Sequence, residues 1–151
     1  MRNGWERHSN IIGVHLVLER EGSVLLGRRL NTRFGAGRYQ VPAGHLEAGE
    51  SITACAVREA KEELGIAVAP GDLELVHVLH LHAREDGLDR VQLFLRVDAY
   101  EGVITRAEPE KCAGWEWHPY DALPEPLAYY THTALDAIRA GRPYSEYGWG
   151  G

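Results

Sequence analysis

The chain has 151 residues, room for one ordinary domain and too few for two. Hydrophobic residues make up 44% and charged residues 25%, a balance that excludes wholesale disorder. A formal charge of −6 argues against binding a nucleic-acid duplex, where phosphate neutralisation supplies the affinity, but permits a small phosphorylated substrate neutralised locally.

The N-terminal stretch Met1-Arg2-Asn3-Gly4-Trp5-Glu6-Arg7-His8 is polar and offers neither a signal peptide nor a membrane span. Cys55 and Cys112 cannot make a disulfide framework. The expectation is one cytoplasmic domain over 1–151 without a membrane partner, its core at about 11–140 and a tail at 141–151. Residues 11–18 form a β-branched, apolar run, and the Glu21-Gly22 turn leads into 23–29, a pattern that predicts a hairpin. A polar, Gly-containing loop follows at 31–37, then a short strand at 38–41 ending at Pro42.

Residues 51–64 lack Gly and Pro and are rich in Ala, Glu, Lys and Leu, which predicts a helix capped by Ser51 and stopped by Gly65. Two alternating strands come next. The first, 73–82, sets Leu73, Leu75, His77, Leu79 and Leu81 on one face; the second, 91–97, sets Val91, Leu93, Leu95 and Val97 against Gln92, Phe94 and Arg96. The turn Glu85-Asp86-Gly87 joins them, and Trp115-Glu116-Trp117 reads as a further strand. Leu127, Tyr130, Ala134 and Ile138 repeat at helical spacing, bounded by Pro126 and by Gly141 and Pro143. The fold class is α/β: a mixed sheet with helices packed on it.

The first helix carries the chemistry. Glu59, Glu62 and Glu63 stand at i, i+3 and i+4, so three carboxylates project from one face and repel. Arg58, four residues before Glu62, is the one well-placed cation. Carboxylate-rich oxygen sites suit hard divalent cations, which for Mg2+ are held by a few carboxylates, water and substrate phosphates. Taken alone, this pattern is also that of an ordinary acidic, solvated helix.

The preceding loop changes that. Gly44, five residues, Glu50, seven residues, then Arg58-Glu59-Ala60-Lys61-Glu62-Glu63-Leu64-Gly65-Ile66 matches every fixed position of the Nudix box, Gly-x5-Glu-x7-Arg-Glu-(apolar)-x-Glu-Glu-x-Gly-(apolar). The chain therefore resembles the Nudix hydrolase family. Val24-Leu25-Leu26-Gly27-Arg28-Arg29, the approach from Phe34 to Pro42, and Glu108-Pro109-Glu110-Lys111-Cys112 with Trp115-Glu116-Trp117 extend the likeness towards the MutT-like nucleoside triphosphate diphosphatases.

The resemblance implies an α/β/α sandwich with a mixed, partly antiparallel sheet. It implies Mg2+-dependent hydrolysis, with Mn2+ as a substitute, of a nucleoside triphosphate or modified nucleotide to the monophosphate and pyrophosphate. It also implies that Glu59, Glu62 and Glu63, with the backbone carbonyl of Ala43, hold the metal. Catalysis would fall to Glu59 as base, with Glu62 beside it as ligand or base, and with Arg58 pairing with Glu50 or with the glutamate cluster to orient it, alongside an i,i+4 ion pair with Glu62. Glu110, outside the box, is the rival base. Gly44 and Glu50 are expected to bind substrate with Arg28 and Arg29, the two arginines being candidate phosphate contacts of which strand alternation sends one to the site. Pro42-Ala43-Gly44 departs from the family, which has Gly where Ala43 stands, and so forgoes a backbone conformation that only Gly tolerates.

Two other readings stand beside this one: a pyrophosphatase for ADP-ribose or another nucleoside diphosphate derivative, and a non-catalytic Nudix-fold nucleotide sensor. Base and sugar selection is expected in 34–38, 92–96 and the segment after Pro124. His77, His80 and His82 lack zinc-site spacing and read as core or surface histidines. His45 reads as a loop contact, both cysteines as inert, and Trp115 and Trp117 as core. Tyr144, Tyr147 and Trp149 in the tail are read as packing groups, with a pocket lid, a homodimer contact or a frayed end as the other options.

Overall fold

The structure, a computed structural model, describes residues 7–30, 36–82 and 87–150. Most of the expected 31–37 loop and the Glu85-Asp86 turn lie outside these residues. The strands are β1 (Ile11–Val17), β2 (Glu19–Arg20), β3 (Ser23–Arg29), β4 (Tyr39–Gln40), β5 (Ala43–His45), β6 (Leu73–Leu81), β7 (Arg90–Val97), β8 (Cys112–Pro119) and β9 (Tyr144–Tyr147). A five-stranded sheet is ordered β5-β1-β7-β6-β9, and a second sheet runs β2-β3-β4 with β8 on β3.

The central strand β1 (Ile11–Val17) is flanked on both edges. It pairs in parallel with β7 (Arg90–Val97) and antiparallel with β5 (Ala43–His45). This corrects the expected long hairpin, because a strand with two partners has no edge left for a third. Only β2 (Glu19–Arg20) pairs with β3 (Ser23–Arg29), across a turn whose Glu21 and Gly22 both have positive φ, 48° and 79°. The segment read as loop at 43–45 is a strand, drawn into the sheet by Val14 opposite Gly44.

The alternation in β7 holds: Leu93, Leu95 and Val97 enter one core, and Phe94 enters the other. In β6 (Leu73–Leu81) it does not. The register with β7 slips between Leu75 and His77, so one residue bulges out. Leu75 is consequently 56% exposed, while His77 is buried.

Helix α1 (Ile52–Glu59) starts at Ser51, whose hydroxyl accepts the Ala54 N–H at 3.0 Å. It packs Cys55 and Ala56 against Val14, Leu16, Leu93 and Leu95. Its continuation over Ala60–Leu64 is a widened π turn rather than regular α-helix, closed by Gly65 at φ 71°. Helix α2 (Thr131–Arg139) covers the opposite face with Ala134, Leu135 and Ile138 on Leu79 and Phe94. It is shorter than the sequence suggests. Leu127 lies outside it, in an extended bridge to Tyr39 of β4 (Tyr39–Gln40).

Helix, mixed sheet and helix make the α/β/α sandwich. The tail is part of the sheet, since β9 (Tyr144–Tyr147) runs parallel to β6. Trp149 lies over His80 and His82, ring centroids 4.7 and 4.4 Å away, and donates to the His80 carbonyl. Tyr147 packs against the core cluster around Leu79 and Phe94, whereas Tyr144 is half exposed. Among the described residues, no helix is long and apolar enough to cross a membrane.

Candidate active site

The pairing of β5 with β1 sets the loop of residues 43–50 against the end of α1. Gly44 sits where a Cβ would collide with the Glu59 carboxylate. Glycine is needed here for clearance, not for an unusual backbone angle. Neither Gly44 nor Ala43 has a positive φ, so alanine at position 43 is accommodated without strain.

Arg58 organises the carboxylates. Its Nε donates to Glu50 Oε2 at 3.0 Å and its Nη2 to Glu50 Oε1 at 2.7 Å, a bidentate pair. Its Nη1 donates to Glu59 Oε1 at 2.8 Å and to Glu62 Oε2 at 3.1 Å. The His45 carbonyl takes Nη2 as well, at 3.2 Å. The guanidinium holds the Glu50 carboxyl down at about 2, helped by the Glu47 N–H, so Glu50 stays charged.

Glu59 and Glu63 are pushed the other way. Burial raises Glu59 against the pull of Arg58, with Glu62 and Glu108 adding repulsion. Burial, then the charge of Glu59, pushes Glu63 up to about 8. Glu63 Oε2 accepts the Ala43 N–H at 3.2 Å, and Trp115 of β8 (Cys112–Pro119) fixes the Glu63 backbone through Nε1 to its carbonyl.

The structure thus brings together Ala43, Gly44, Glu50, Arg58, Glu59, Glu62 and Glu63. Among the described residues, however, no three His, Cys, Asp or Glu side chains are already gathered as a metal-ligand set. The expected set is instead divided: Arg58 draws Glu59 and Glu62, and Glu63 turns to Ala43, which here offers its N–H. The donor set still suits a hard divalent cation, being oxygen-only, crowded, and carrying two carboxylates whose pKa values are raised by burial and by neighbouring carboxylates.

The two arginines of β3 separate as alternation requires. Arg29 lines a cleft with Gly27, Gln40, Glu63, Glu108 and Lys111; Arg28 is exposed and outside it. Glu108 is an outer carboxylate whose charge reaches Glu59 and Glu63. Position in a loop hid it, and only its i, i+3 partner Lys111 marks it in the sequence. Gln40 and Tyr130 were also illegible, because their link spans ninety residues.

Elsewhere, Arg96 is committed to Glu19 at 2.8 Å and Glu74 at 3.7 Å, and Phe34 lies outside the described residues. Burial pushes the Cys55 thiol up to about 12 and raises Cys112, so neither is a thiolate. His77 packs near Phe94 and bonds the Arg142 carbonyl and Ser145, while His80 and His82 face Trp149.

The NUDIX domain family model matches residues 7–138. The CTP pyrophosphohydrolase of Escherichia coli is 31% identical over 140 residues, covering 86% of this chain and 94% of that protein. The RNA pyrophosphohydrolase of Novosphingobium aromaticivorans is 36% identical over 134 residues, covering 76% and 79%. Among solved structures, the MutT NUDIX hydrolase from Burkholderia pseudomallei superposes with a TM-score of 0.78 at 28% identity, covering 85% of this chain and 98% of that one. With the box residues assembled around Arg58 and the sandwich of the MutT structures, the chain belongs to the Nudix family, pyrophosphohydrolases that act on acid anhydrides.

Proposed function

We propose that this protein hydrolyses a nucleoside triphosphate, or a modified one, to the monophosphate and pyrophosphate with Mg2+. The observation that carries the reading is the complete set of box glutamates held beside a cleft containing Arg29. Glu59, Glu62 and Glu63, with Ala43 at the loop, would hold the metal, which when bound polarises phosphoryl oxygens and makes water a better nucleophile.

The chain's own residues do the rest. Arg58 keeps Glu50, Glu59 and Glu62 in one orientation, a supporting role of the kind that sustains metal sites. Its bond to Glu59 takes Oε1 and leaves Oε2 to accept the proton of the attacking water. Arg29 meets the phosphates, for which its planar donor array is suited. A fold of this size working on a soluble nucleotide fits a single cytoplasmic domain.

The test is a panel of nucleoside triphosphates, ADP-ribose and other nucleoside diphosphate derivatives incubated with Mg2+ and assayed for all products. Preferred release of pyrophosphate from a triphosphate supports the reading. Preferred cleavage of a diphosphate derivative moves the assignment to that class. Binding of nucleotide without turnover of any compound would make the protein a sensor.

A further inference from the structure

The cleft beside Glu63 contains a second cation, Lys111, placed by the same strands that place Arg29. Arg29 pairs in register with Cys112, and the next residue, Leu30, donates its N–H to the Lys111 carbonyl at 2.8 Å. Backbone pairing therefore sets the two residues on neighbouring segments, and both line the cleft with Glu63 and Glu108.

Both cations feel nearby carboxylates, Arg29 that of Glu63 and Lys111 those of Glu108, Glu110 and Glu63, but neither is gripped as Arg58 is. Arg58 is spent on carboxylates: Glu50, Glu59 and Glu62 within 3.1 Å and Glu47 at 3.6 Å. Arg29 instead donates Nη1 to a neutral acceptor, Gln40 Oε1 at 2.9 Å, and its Nε is buried without an acceptor. Gln40 is itself held, donating Nε2 to the Tyr130 hydroxyl at 2.6 Å. That chain orients the guanidinium without neutralising it. Lys111 is 61% exposed and reaches Glu108 at 3.3 Å, a loose pair that competes weakly with a phosphate.

Building on the nucleotide-hydrolase reading, we propose that Arg29 and Lys111 form a two-cation clamp for the terminal phosphates of a nucleoside triphosphate, with Gln40 as the residue that positions Arg29. The clamp makes the site selective for triphosphates over diphosphate derivatives, whose distal group carries less charge for Lys111 to meet.

Calorimetric binding of the α,β-methylene triphosphates of adenosine, guanosine, cytidine and uridine, and of α,β-methylene ADP-ribose as the diphosphate derivative, with Mg2+, tests this. Lys111→Met is expected to weaken triphosphate binding about tenfold and diphosphate binding less than about twofold, and Lys111→Arg to restore most of the loss. Gln40→Leu is expected to raise KM for the triphosphate substrate with kcat little changed. Equal loss on both ligand classes in Lys111→Met, or no loss on either, overturns the clamp while leaving the hydrolase reading intact. Wild-type protein that binds none of the analogues and turns over no nucleotide overturns both.

Discussion

Arg58 grips Glu50 through two parallel bonds, Nη2 to Oε1 at 2.7 Å and Nε to Oε2 at 3.0 Å. The residues are eight apart in sequence, and the pair locks the box loop to the helix that carries Glu59 and Glu62. A lysine ammonium cannot reproduce that fork. Arg58→Lys is therefore expected to lower turnover about 10–100-fold with the far-ultraviolet circular dichroism unchanged. Full activity in that variant would remove Arg58 from its orienting role.

Gly44 is required because its neighbour is a carboxylate. In Gly44→Ala the added methyl displaces Glu59 or bends β5 away from β1. The expected cost is about 1–3 kcal/mol in urea denaturation, together with a large fall in kcat. Unchanged kinetics would mean that the position of Glu59 is immaterial.

Burial and the charge of Glu59 disfavour the ionised form of Glu63 until a cation arrives. Glu63→Gln keeps the side chain's shape and an oxygen for the Ala43 N–H while removing the carboxyl that must ionise in a buried place beside Glu59. The metal-free variant is expected to melt at or above the wild-type temperature, to gain less from added Mg2+, and to lose turnover. A variant stabilised by Mg2+ as strongly as wild type would contradict the assignment of Glu63 as a ligand.

His15 lies outside the carboxylate cluster, buried against Phe94 with its Nε2 on Gln92 Oε1 at 2.9 Å. Burial lowers it from 6.5 to about 4, so the folded chain favours the neutral ring. Between these values the unfolded chain binds the extra proton. Stability from this group is complete above pH 6.5 and is lost as pH falls towards 4, on the order of 3 kcal/mol in all. Urea denaturation at pH 7.5 and 4.5 is expected to show a larger loss in wild type than in His15→Gln. Equal losses would place the acid sensitivity elsewhere.

The box was legible because its chemistry is local: one loop and one helix bring Gly44, Glu50, Arg58, Glu59, Glu62 and Glu63 together. The strand faces of β7 could be read from alternation for the same reason. The bulge in β6 could not, since it arises in the pairing with β7 and leaves Leu75 looking like a core residue in sequence. Nor could β9, whose short polar run becomes a strand only when β6 offers an edge. Gln40 and Lys111 join the cleft, and Tyr130 holds Gln40, through contacts between distant segments, and such contacts leave no periodic trace.

The most direct test of the central claim is a product time course on a nucleoside triphosphate with Mg2+, followed by phosphorus NMR with and without excess EDTA. The expected result is equimolar monophosphate and pyrophosphate, with turnover arrested by EDTA. Stepwise release of orthophosphate, or hydrolysis that continues in EDTA, would contradict it.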